Sequence, residues 1–386
     1  MKKSFALMCY LAAKGGRHSR RELAELSWPK SEELRPGHQV HKQKYPQGSL
    51  MKAIVQHKYG SPAVLSLREI DKPVVKDDEV LVRVHAASLH PDVWHVVRGL
   101  PYVLRIMGAG LLKPRNNVPG TDVAGHVESV GTDVTLFQPG DEVFGESVRG
   151  HQWHNGGAYA EYVAVSEDQL ALKPANITFE QAAAVPTSGI IALQGLRESG
   201  QPQPGQKVLI NGAGGGVGTI AVQLAKSYGA DVTGVDSTRK LDLLRSLGAD
   251  RVIDYTQEDY TQSGERYDYI VNIPGNHSLS ECRRALTPKG TYVLIGHDHF
   301  GKQGDRFLGG LLRGLKLIVM SPFINQLPDL SFSMPSKKDS MAVLRDLLQA
   351  GEITPVIDRT YPLSGVPEAI RYLEGGHAQG KVVITI

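Results

Sequence analysis

Cysteine is nearly absent from this chain of 386 residues, because only Cys9 and Cys282 occur. Two cysteines so far apart in sequence cannot form a disulfide framework or a zinc site built from several cysteines. A reducing compartment suits such a chain best, and we therefore expect the protein to be cytoplasmic.

Long apolar runs are also missing, since no segment approaches the roughly 20 residues that a membrane-spanning helix needs. Hydrophobic residues make up 41% of the chain and charged residues 22%, an ordinary composition for a globular protein. We expect no membrane partner, and a chain long enough for two packed domains.

An excess of charge of one sign is missing from most of the chain. Residues 1–50 hold ten Lys/Arg and four Glu, a net charge of +6. The whole chain has 43 basic and 40 acidic residues, so residues 51–386 hold 33 and 36, a net charge of −3. This balance does not favour nucleic acid as a partner.

The first 50 residues differ in pattern from the rest. Ser19 and Glu22 have capping-box spacing in a segment that resembles the start of a winged-helix domain, and a polar stretch follows. The resembling segment has about 30 residues, too few to bury a core. We interpret residues 1–50 as a leader and linker outside the main fold, with a DNA-binding module or a signal peptide as alternatives.

From Met51 onward the pattern has two parts. Up to residue 185, short alternating runs such as EVLVRVHAAS and DVAGHVESVG predict strands interrupted by Gly, Pro and Asp. From residue 186, strand and helix patterns alternate, which predicts a doubly wound parallel sheet. The end of the chain returns to mixed strand and helix. The predicted fold class is therefore α/β, with a β-rich domain beside the parallel sheet.

A glycine-rich turn, GAGGGVG at 212–218, lies between the strand KVLIN and an amphipathic helical segment. Gly215 and Gly218 fit the second and third glycines of the dinucleotide fingerprint G-x-G-x-x-G, while Ala213 takes the first place. Free N–H groups at the helix start then favour a diphosphate. The predicted contacts are Ala213, Gly215, Gly216, Val217 and Gly218.

The strand after this helix ends in signals for two different dinucleotides. Asp236 lies 18 residues beyond Gly218, where an acid usually binds the ribose hydroxyls of NAD. The next residues supply hydroxyls and two cations suited to the 2′-phosphate of NADP. They are Ser237, Thr238, Arg239 and Lys240. We expect NADPH, with NADH as the open alternative.

With these residues, the chain resembles the medium-chain dehydrogenase/reductase superfamily, above all its zinc-free branch of quinone oxidoreductases and enoyl reductases. GQKVLINGAGGGVGTIAVQLAKS matches the quinone-oxidoreductase signature except at Ser227, and PGTDVAGHVESVG, PGDEVFG and GHAQGKVVI also match family segments. The resemblance implies a GroES-like substrate domain from residues 51–185 and 322–386, and a Rossmann domain from 186–321.

The same resemblance implies further contacts and partners. Lys240 and Tyr255 match the family's contacts to the 2′-phosphate of NADPH, and Thr187 is expected beside the nicotinamide. Lys381, within the matching segment GHAQGKVVI, is taken as another cofactor contact. The substrate implied is a small carbonyl compound or quinone, and the assembly implied is a homodimer.

The stretch LHPDVWH, residues 89–95, decides whether zinc is expected. Aligned with the zinc-dependent branch, His90 stands at a cysteine ligand, Thr121 at the histidine ligand and Ala184 at the second cysteine ligand. Catalytic zinc needs three protein ligands, and only one potential ligand remains. His151 and His154 have ligand-like spacing but no evident partners. We therefore expect no zinc.

In the zinc-free branch this stretch commonly begins Asn-Pro, so His90 stands where relatives carry Asn. A histidine there can donate to a substrate carbonyl or relay a proton near neutral pH. The alternative is an ordinary turn residue before Pro91 at the first position of a helix. Tyr102 is a second candidate for donating a hydrogen bond to a substrate oxygen.

Reduction of an alkene conjugated to a carbonyl suits a site without zinc, because the enolate oxygen needs only hydrogen-bond donors. The leading hypothesis is a zinc-independent, NADPH-dependent reductase of quinones or α,β-unsaturated carbonyls. The alternatives are an NAD(P)-dependent alcohol or aldehyde dehydrogenase that works without zinc, and a non-catalytic NADPH-binding protein.

Overall fold

A computed structural model describes residues 49–149, 154–198, 200–296, 306–328 and 336–386. The interpretation of residues 1–48 as a leader lies outside these ranges. Within them, no helix has both the length and the apolar character that crossing a membrane requires.

The strands of the described ranges are β1 Leu50–Gln56, β2 Leu65–Asp71, β3 Glu79–Leu89, β4 Asp122–Val130, β5 Glu142–Glu146, β6 Tyr162–Ser166, β7 Leu170–Leu172, β8 Lys207–Asn211, β9 Asp231–Asp236, β10 Arg251–Asp254, β11 Tyr267–Asn272, β12 Leu286–Leu294, β13 Ile357–Pro362 and β14 Lys381–Thr385. The α-helices are α1 Pro91–Arg98, α2 Phe179–Ala183, α3 Pro186–Leu193, α4 Gly216–Ser227, α5 Leu241–Ser246, α6 Leu279–Arg284, α7 Leu311–Met320, α8 Lys337–Gln349 and α9 Val366–Glu374.

A seven-stranded sheet contains most of the β-rich part of the chain. Its order is β13-β14-β3-β4-β5-β7, and β6 pairs with β3. In the central strand β3, Val80, Val82 and Val84 are buried on one face, while Arg83 on the other face is exposed and Leu81 on that face is buried. Strand β14 pairs antiparallel with β3. The C-terminal end of the chain therefore returns to the seven-stranded sheet.

A five-stranded sheet has the order β10-β9-β8-β11-β12, and all its pairs are parallel. Parallel neighbours need crossover connections, and α4 supplies the one between β8 and β9. Val208, Leu209 and Ile210 are all buried, as expected for a strand covered on both faces. The predicted α/β class, with a β-rich sheet beside a parallel one, is confirmed. The domain boundaries near residues 185 and 321 stay predictions.

The carboxyl ends of β8, β9 and β10 lie at one edge of the parallel sheet, where doubly wound folds bind their ligands. The segment before β14 also reaches this edge, because Gly380 N donates to Gly214 O at 2.9 Å. Strand β14 thus links the seven-stranded sheet to the glycine-rich turn, and Lys381 follows immediately.

Candidate functional site

The glycine-rich turn after β8 is held to β9 by its first amides. Gly212 has a φ of +82°, and its N–H and that of Ala213 both donate to Val235 O, at 3.0 and 3.1 Å. Gly214 N donates to Asp236 Oδ2 at 2.8 Å. The predicted contact Ala213 is buried, with its amide already bonded to β9, so its place is in the packing of the turn.

The start of α4 leaves backbone donors without partners. The first helical bond runs from Thr219 N to Gly215 O at 2.9 Å, so helix geometry gives Gly216, Val217 and Gly218 no intrahelical acceptor. A Cβ on Gly218 would clash with Gly212 O, which explains the glycine there. A Cβ on Gly215 would meet only Gly212 O, at 3.6 Å. Open space therefore lies beside free N–H groups, an arrangement that suits a diphosphate.

Lys381 adds a buried cation at the start of this helix. The position that a Cβ on Gly216 would take lies 2.8 Å from Lys381 Cδ. Lys381 Nζ lies 3.4 Å from Asp122 Oδ2. Burial lowers the pKa of Lys381, and the Asp122 carboxylate offsets this only in part. A lysine beside a helix N-terminus strengthens the attraction for an anion.

Asp236 is already engaged within the protein. Its Oδ2 accepts from Gly214 N, and its Oδ1 accepts from Ser237 N at 2.8 Å. Lys240 Nζ lies 3.5 Å from the same Oδ1, and both side chains are buried. The stem of Lys240 crosses the turn, since its Cδ lies 2.6 Å from where a Cβ on Gly214 would be. Asp236 therefore stabilises the turn and positions Lys240.

The remaining predicted 2′-phosphate contacts surround this pair. Tyr255 is 55% exposed, and its N–H donates to Asp236 O at 3.2 Å. Thr238 Oγ1 donates to Asp254 Oδ2, and Arg239 is exposed with a nitrogen 3.0 Å from His377 Nδ1. The structure thus brings Ser237, Lys240 and Tyr255 to Asp236, while Thr238 and Arg239 have other partners.

His90 has features of both interpretations, the turn residue before a helix and the side chain that contacts substrate. It is the N-cap residue of α1, with Pro91 at the first helical position. Its ring is 3% exposed, and Nε2 lies 2.6 Å from Thr121 Oγ1. Nδ1 lies 3.6 Å from Asp92 Oδ2 and has no hydrogen-bond partner among the described residues. A buried ring nitrogen that no protein group within hydrogen-bond distance satisfies is available to a ligand or a water.

Two positions that hold zinc ligands in the zinc-dependent branch, His90 and Thr121, therefore contact each other directly. Across the described ranges, no group of three or more His, Cys, Asp or Glu could hold a metal ion. His151 lies outside those ranges. The expectation of no zinc continues to rest on the missing ligands in the sequence.

A network of two buried carboxylates lies behind Thr121, and the sequence did not reveal it. Thr187 Oγ1 bonds Asp122 Oδ1 and lies 2.8 Å from Glu146 Oε1, while Thr187 N donates to Asp122 Oδ1 at 3.2 Å. A hydroxyl has one hydrogen, so Thr187 can donate to only one carboxylate at a time. In an alignment with the zinc-dependent branch, Asp122 stands in place of a glutamate, and this is the one signal for the network that the sequence offers.

Two lysines balance these carboxylates. Lys337 Nζ donates to Glu146 Oε2, and to Val148 O at 3.0 Å. Lys381 faces Asp122, which also accepts from Ser88 Oγ at 3.0 Å. The predicted nicotinamide contact Thr187 is therefore fixed at the start of α3 by a charge-balanced network.

The second catalytic candidate, Tyr102, has different neighbours. Its ring is 38% exposed and lies 5.6 Å from that of Phe307, and the Arg105 guanidinium lies 4.8 Å from its centroid. Its N–H donates to Arg306 O at 2.7 Å. Tyr102 thus belongs to a surface formed with a later part of the chain, while His90 is buried beside Thr121.

Comparison with known proteins agrees with this arrangement. The profile of the alcohol dehydrogenase GroES-like domain matches residues 76–175, and that of zinc-binding dehydrogenases matches residues 247–384. The 2-methylene-furan-3-one reductase of Solanum lycopersicum is 35% identical over 349 residues, which are 87% of this chain and 79% of that protein.

Two other proteins are similar over a comparable length. The chloroplastic NADPH-dependent alkenal/one oxidoreductase of Arabidopsis thaliana is 35% identical over 347 residues, 86% of this chain and 79% of that protein. The solved structure of the quinone oxidoreductase from Coxiella burnetii has a TM-score of 0.73 and 28% identity, and the match covers 87% of this chain and 99% of that one.

Proposed function

The chain belongs to the medium-chain dehydrogenase/reductase superfamily, in its zinc-free, quinone-oxidoreductase-like branch, and from that membership we propose the reaction it catalyses. It is an oxidoreductase that uses a nicotinamide cofactor. Our proposal is hydride transfer from NADPH to a quinone or an α,β-unsaturated carbonyl compound, without zinc. The names of the two plant relatives support this substrate class.

The observation that carries the proposal is the buried ring of His90. Where a zinc ion would act as Lewis acid in the zinc-dependent branch, this chain has a hydrogen bond between His90 Nε2 and Thr121 Oγ1. If Thr121 donates this bond, Nδ1 carries the ring hydrogen, and the nearby Asp92 carboxylate favours that tautomer. Nδ1 would then donate to a substrate oxygen as enolate charge develops on it.

The cofactor residues divide into two groups. The free amides of Gly216, Val217 and Gly218, with Lys381 beside them, would hold the diphosphate. Ser237, Lys240 and Tyr255, which the structure gathers at Asp236, would hold the 2′-phosphate. NADPH supplies the hydride when it is bound. The engagement of Asp236 supports NADPH over NADH, because both carboxylate oxygens already accept backbone hydrogen bonds.

Thr187 and its network would position this apparatus. Asp122 binds the backbone and hydroxyl of Thr187 and faces Lys381, so one carboxylate joins α3, β4 and β14. Tyr159 lies near the same carboxylate, and burial raises the pKa of its phenol well above the ordinary value. Its hydroxyl donates to Ser88 O at 3.1 Å, so Tyr159 acts in this network as a neutral, buried hydrogen-bond donor.

Steady-state oxidation of NADPH and NADH in the presence of a quinone or an enone tests the proposal. We expect turnover that is faster at low NADPH than at low NADH. Alcohol-dependent reduction of NAD(P)⁺ alone would instead indicate an alcohol dehydrogenase. Tight NADPH binding without turnover over a broad substrate panel would indicate a binding protein.

The role of His90 has its own test. His90→Ala should lower kcat for an enone by about 10²-fold, the effect of losing one donor to a developing oxyanion. His90→Asn keeps a side-chain donor and should retain more activity. Unchanged turnover and pH profile in both variants would reduce His90 to a turn residue.

A further inference from the structure

Large apolar and aromatic side chains are exposed mainly on two segments of the chain. Of the fifteen such residues exposed in the described ranges, nine lie within residues 102–112 and 307–323. We call these nine the apolar surface. They are Tyr102, Ile106, Met107, Leu111, Leu112, Phe307, Leu312, Val319 and Phe323. Clustering of this kind, in contrast to scattered single residues, marks an interaction site.

The two segments adjoin in the folded chain. Tyr102 N donates to Arg306 O at 2.7 Å, and Val103 N donates to Phe307 O at 3.0 Å. The rings of Tyr102 and Phe307 lie 5.6 Å apart. Backbone hydrogen bonds and a ring contact thus join the two segments at Tyr102 and Phe307, and the other exposed apolar side chains continue along each segment from this junction.

Helix α7 and the turn after it present one apolar stripe to solvent. Leu312, Lys316, Val319 and Phe323 are spaced by four, three and four residues, so they share a face of helical geometry. Each of the three apolar members is at least 56% exposed, while Leu317, on a different face, is buried. Lys316 is the only charged member of this stripe within the described ranges.

The charged side chains within the two segments all have one sign. Residues 99–121 and 306–328 contain no Asp or Glu, although residues 51–386 as a whole are net acidic. Arg105 stacks on Tyr59 and Tyr102, and Arg313 donates to backbone carbonyls. The cations left in solvent are Lys113, Arg115, Arg306 and Lys316.

We propose that this apolar surface docks on an anionic lipid bilayer. Its apolar side chains would enter the boundary between headgroups and acyl chains, and the four exposed cations would contact lipid phosphates. Lys316 suits this position, because a lysine in an apolar stripe can extend its ammonium to the headgroups. Docking needs no spanning helix, so the proposal revises the expectation of no membrane partner. It does not depend on the substrate.

A second copy of the chain fits this surface poorly. A two-fold contact would place the same patch on both sides, so the cations would face one another without a carboxylate from either segment. The homodimer implied by the family resemblance would therefore use another face. An anionic bilayer supplies the negative charge that a second copy of these segments lacks. Its fluid surface does not require a partner pocket complementary in shape to the apolar surface.

Flotation of the full chain with vesicles tests the proposal. We expect co-flotation with vesicles of phosphatidylcholine and phosphatidylglycerol, little with phosphatidylcholine alone, and release by salt. Leu112→Ser combined with Phe323→Ser should weaken binding by about tenfold or more, because several buried CH₂ groups are lost. Lys113→Glu combined with Lys316→Glu should also weaken it. Val74→Ser and Leu172→Ser, at exposed apolar positions elsewhere, are the matched controls.

Melting temperature and NADPH binding of each variant show whether it is folded. Equal flotation of the wild type and the Leu112/Phe323 variant would overturn the proposal. Such a result is expected if the basic residues 1–50 carry the binding, because these substitutions leave that segment unchanged. Absence of binding to either vesicle would also overturn it. Conversion of a dimer to a monomer by the Leu112/Phe323 variant, seen by light scattering, would assign the surface to a second copy.

Discussion

Replacing Asp122 by Asn would remove the negative charge that faces a buried lysine while keeping the shape of the side chain. Asp122 and Lys381 are 259 residues apart in sequence, and their charged atoms are separated by 3.4 Å in the interior. The same carboxylate accepts hydrogen bonds from Thr187 and Ser88. The variant therefore tests whether this ion pair holds the seven-stranded sheet to the edge of the parallel sheet where β8, β9 and β10 end.

The expected loss of stability is large because the partner charge stays buried. Removing one member of a buried ion pair typically costs about 3–5 kcal/mol, since the other charge is left uncompensated. For a chain of this size, each kcal/mol lowers the melting temperature by only about 1–2 °C, because the entropy of unfolding grows with chain length. We therefore expect Asp122→Asn to lower the melting temperature by roughly 5 °C at neutral pH. Adding Lys381→Met should restore much of the loss, because no unpaired charge then remains.

The pH dependence supplies an independent check. Burial already lowers the pKa of Lys381 below its ordinary value, and loss of Asp122 removes the charge that offsets this. Between the folded and unfolded pKa values the unfolded chain binds more protons, so stability rises with pH in that window. The melting temperature of Asp122→Asn should therefore approach that of the wild type as pH rises toward about 10, the ordinary lysine value.

Calorimetry or circular dichroism of the wild type, both single variants and the double variant measures these effects. Asp242→Asn, at an exposed carboxylate paired with the exposed Arg245, is the control and should change the melting temperature little. A double variant as unstable as the sum of the single variants would refute the reasoning. So would a gap between Asp122→Asn and wild type that stays constant as pH rises.

Three other predictions concern the cofactor, the metal and a partly buried histidine pair. Lys240→Ala should raise KM for NADPH by about tenfold or more, through loss of a charge-assisted hydrogen bond, and change KM for NADH little; equal changes would sink the assignment. Prolonged treatment with a chelator should leave enone reduction unchanged, whereas loss of activity that zinc restores would contradict zinc independence. Burial, and secondly the neighbouring His126, lower the pKa of His85, whose Nε2 lies 3.0 Å from His126 Nδ1. The unfolded state then binds more protons just below about pH 6.5, so stability should fall as the solution is acidified. His126→Leu should make that fall in melting temperature smaller, and an identical fall would exclude this pair as the cause.

Local sequence was sufficient to predict a structural feature where one continuous segment contains all the residues that the feature needs. The turn at 212–218 needs a strand before it, a helix after it and a glycine at Gly218, and all of these lie within about 20 residues. The same holds for β3, whose alternation of valines predicts one buried face. The approach of His90 to Thr121 was implied by the family alignment alone, since nothing in the spacing of the two residues brings them together.

The network of two buried carboxylates and the apolar surface could not be predicted from local sequence. Lys337 reaches Glu146 across 191 residues, and a lysine at the start of α8 carries no mark that distinguishes it from a solvated charge. Tyr102 is a candidate substrate contact in the sequence, and only the backbone bonds to Arg306 and Phe307 show that it shares an exposed surface with a later segment. The periodicity of hydrophobic residues and the residue types of turns act over a few positions, and they therefore predict strands, helices and turns. Which charges lose their water and which apolar groups keep theirs depends on how distant segments pack, and that becomes visible only in the folded chain.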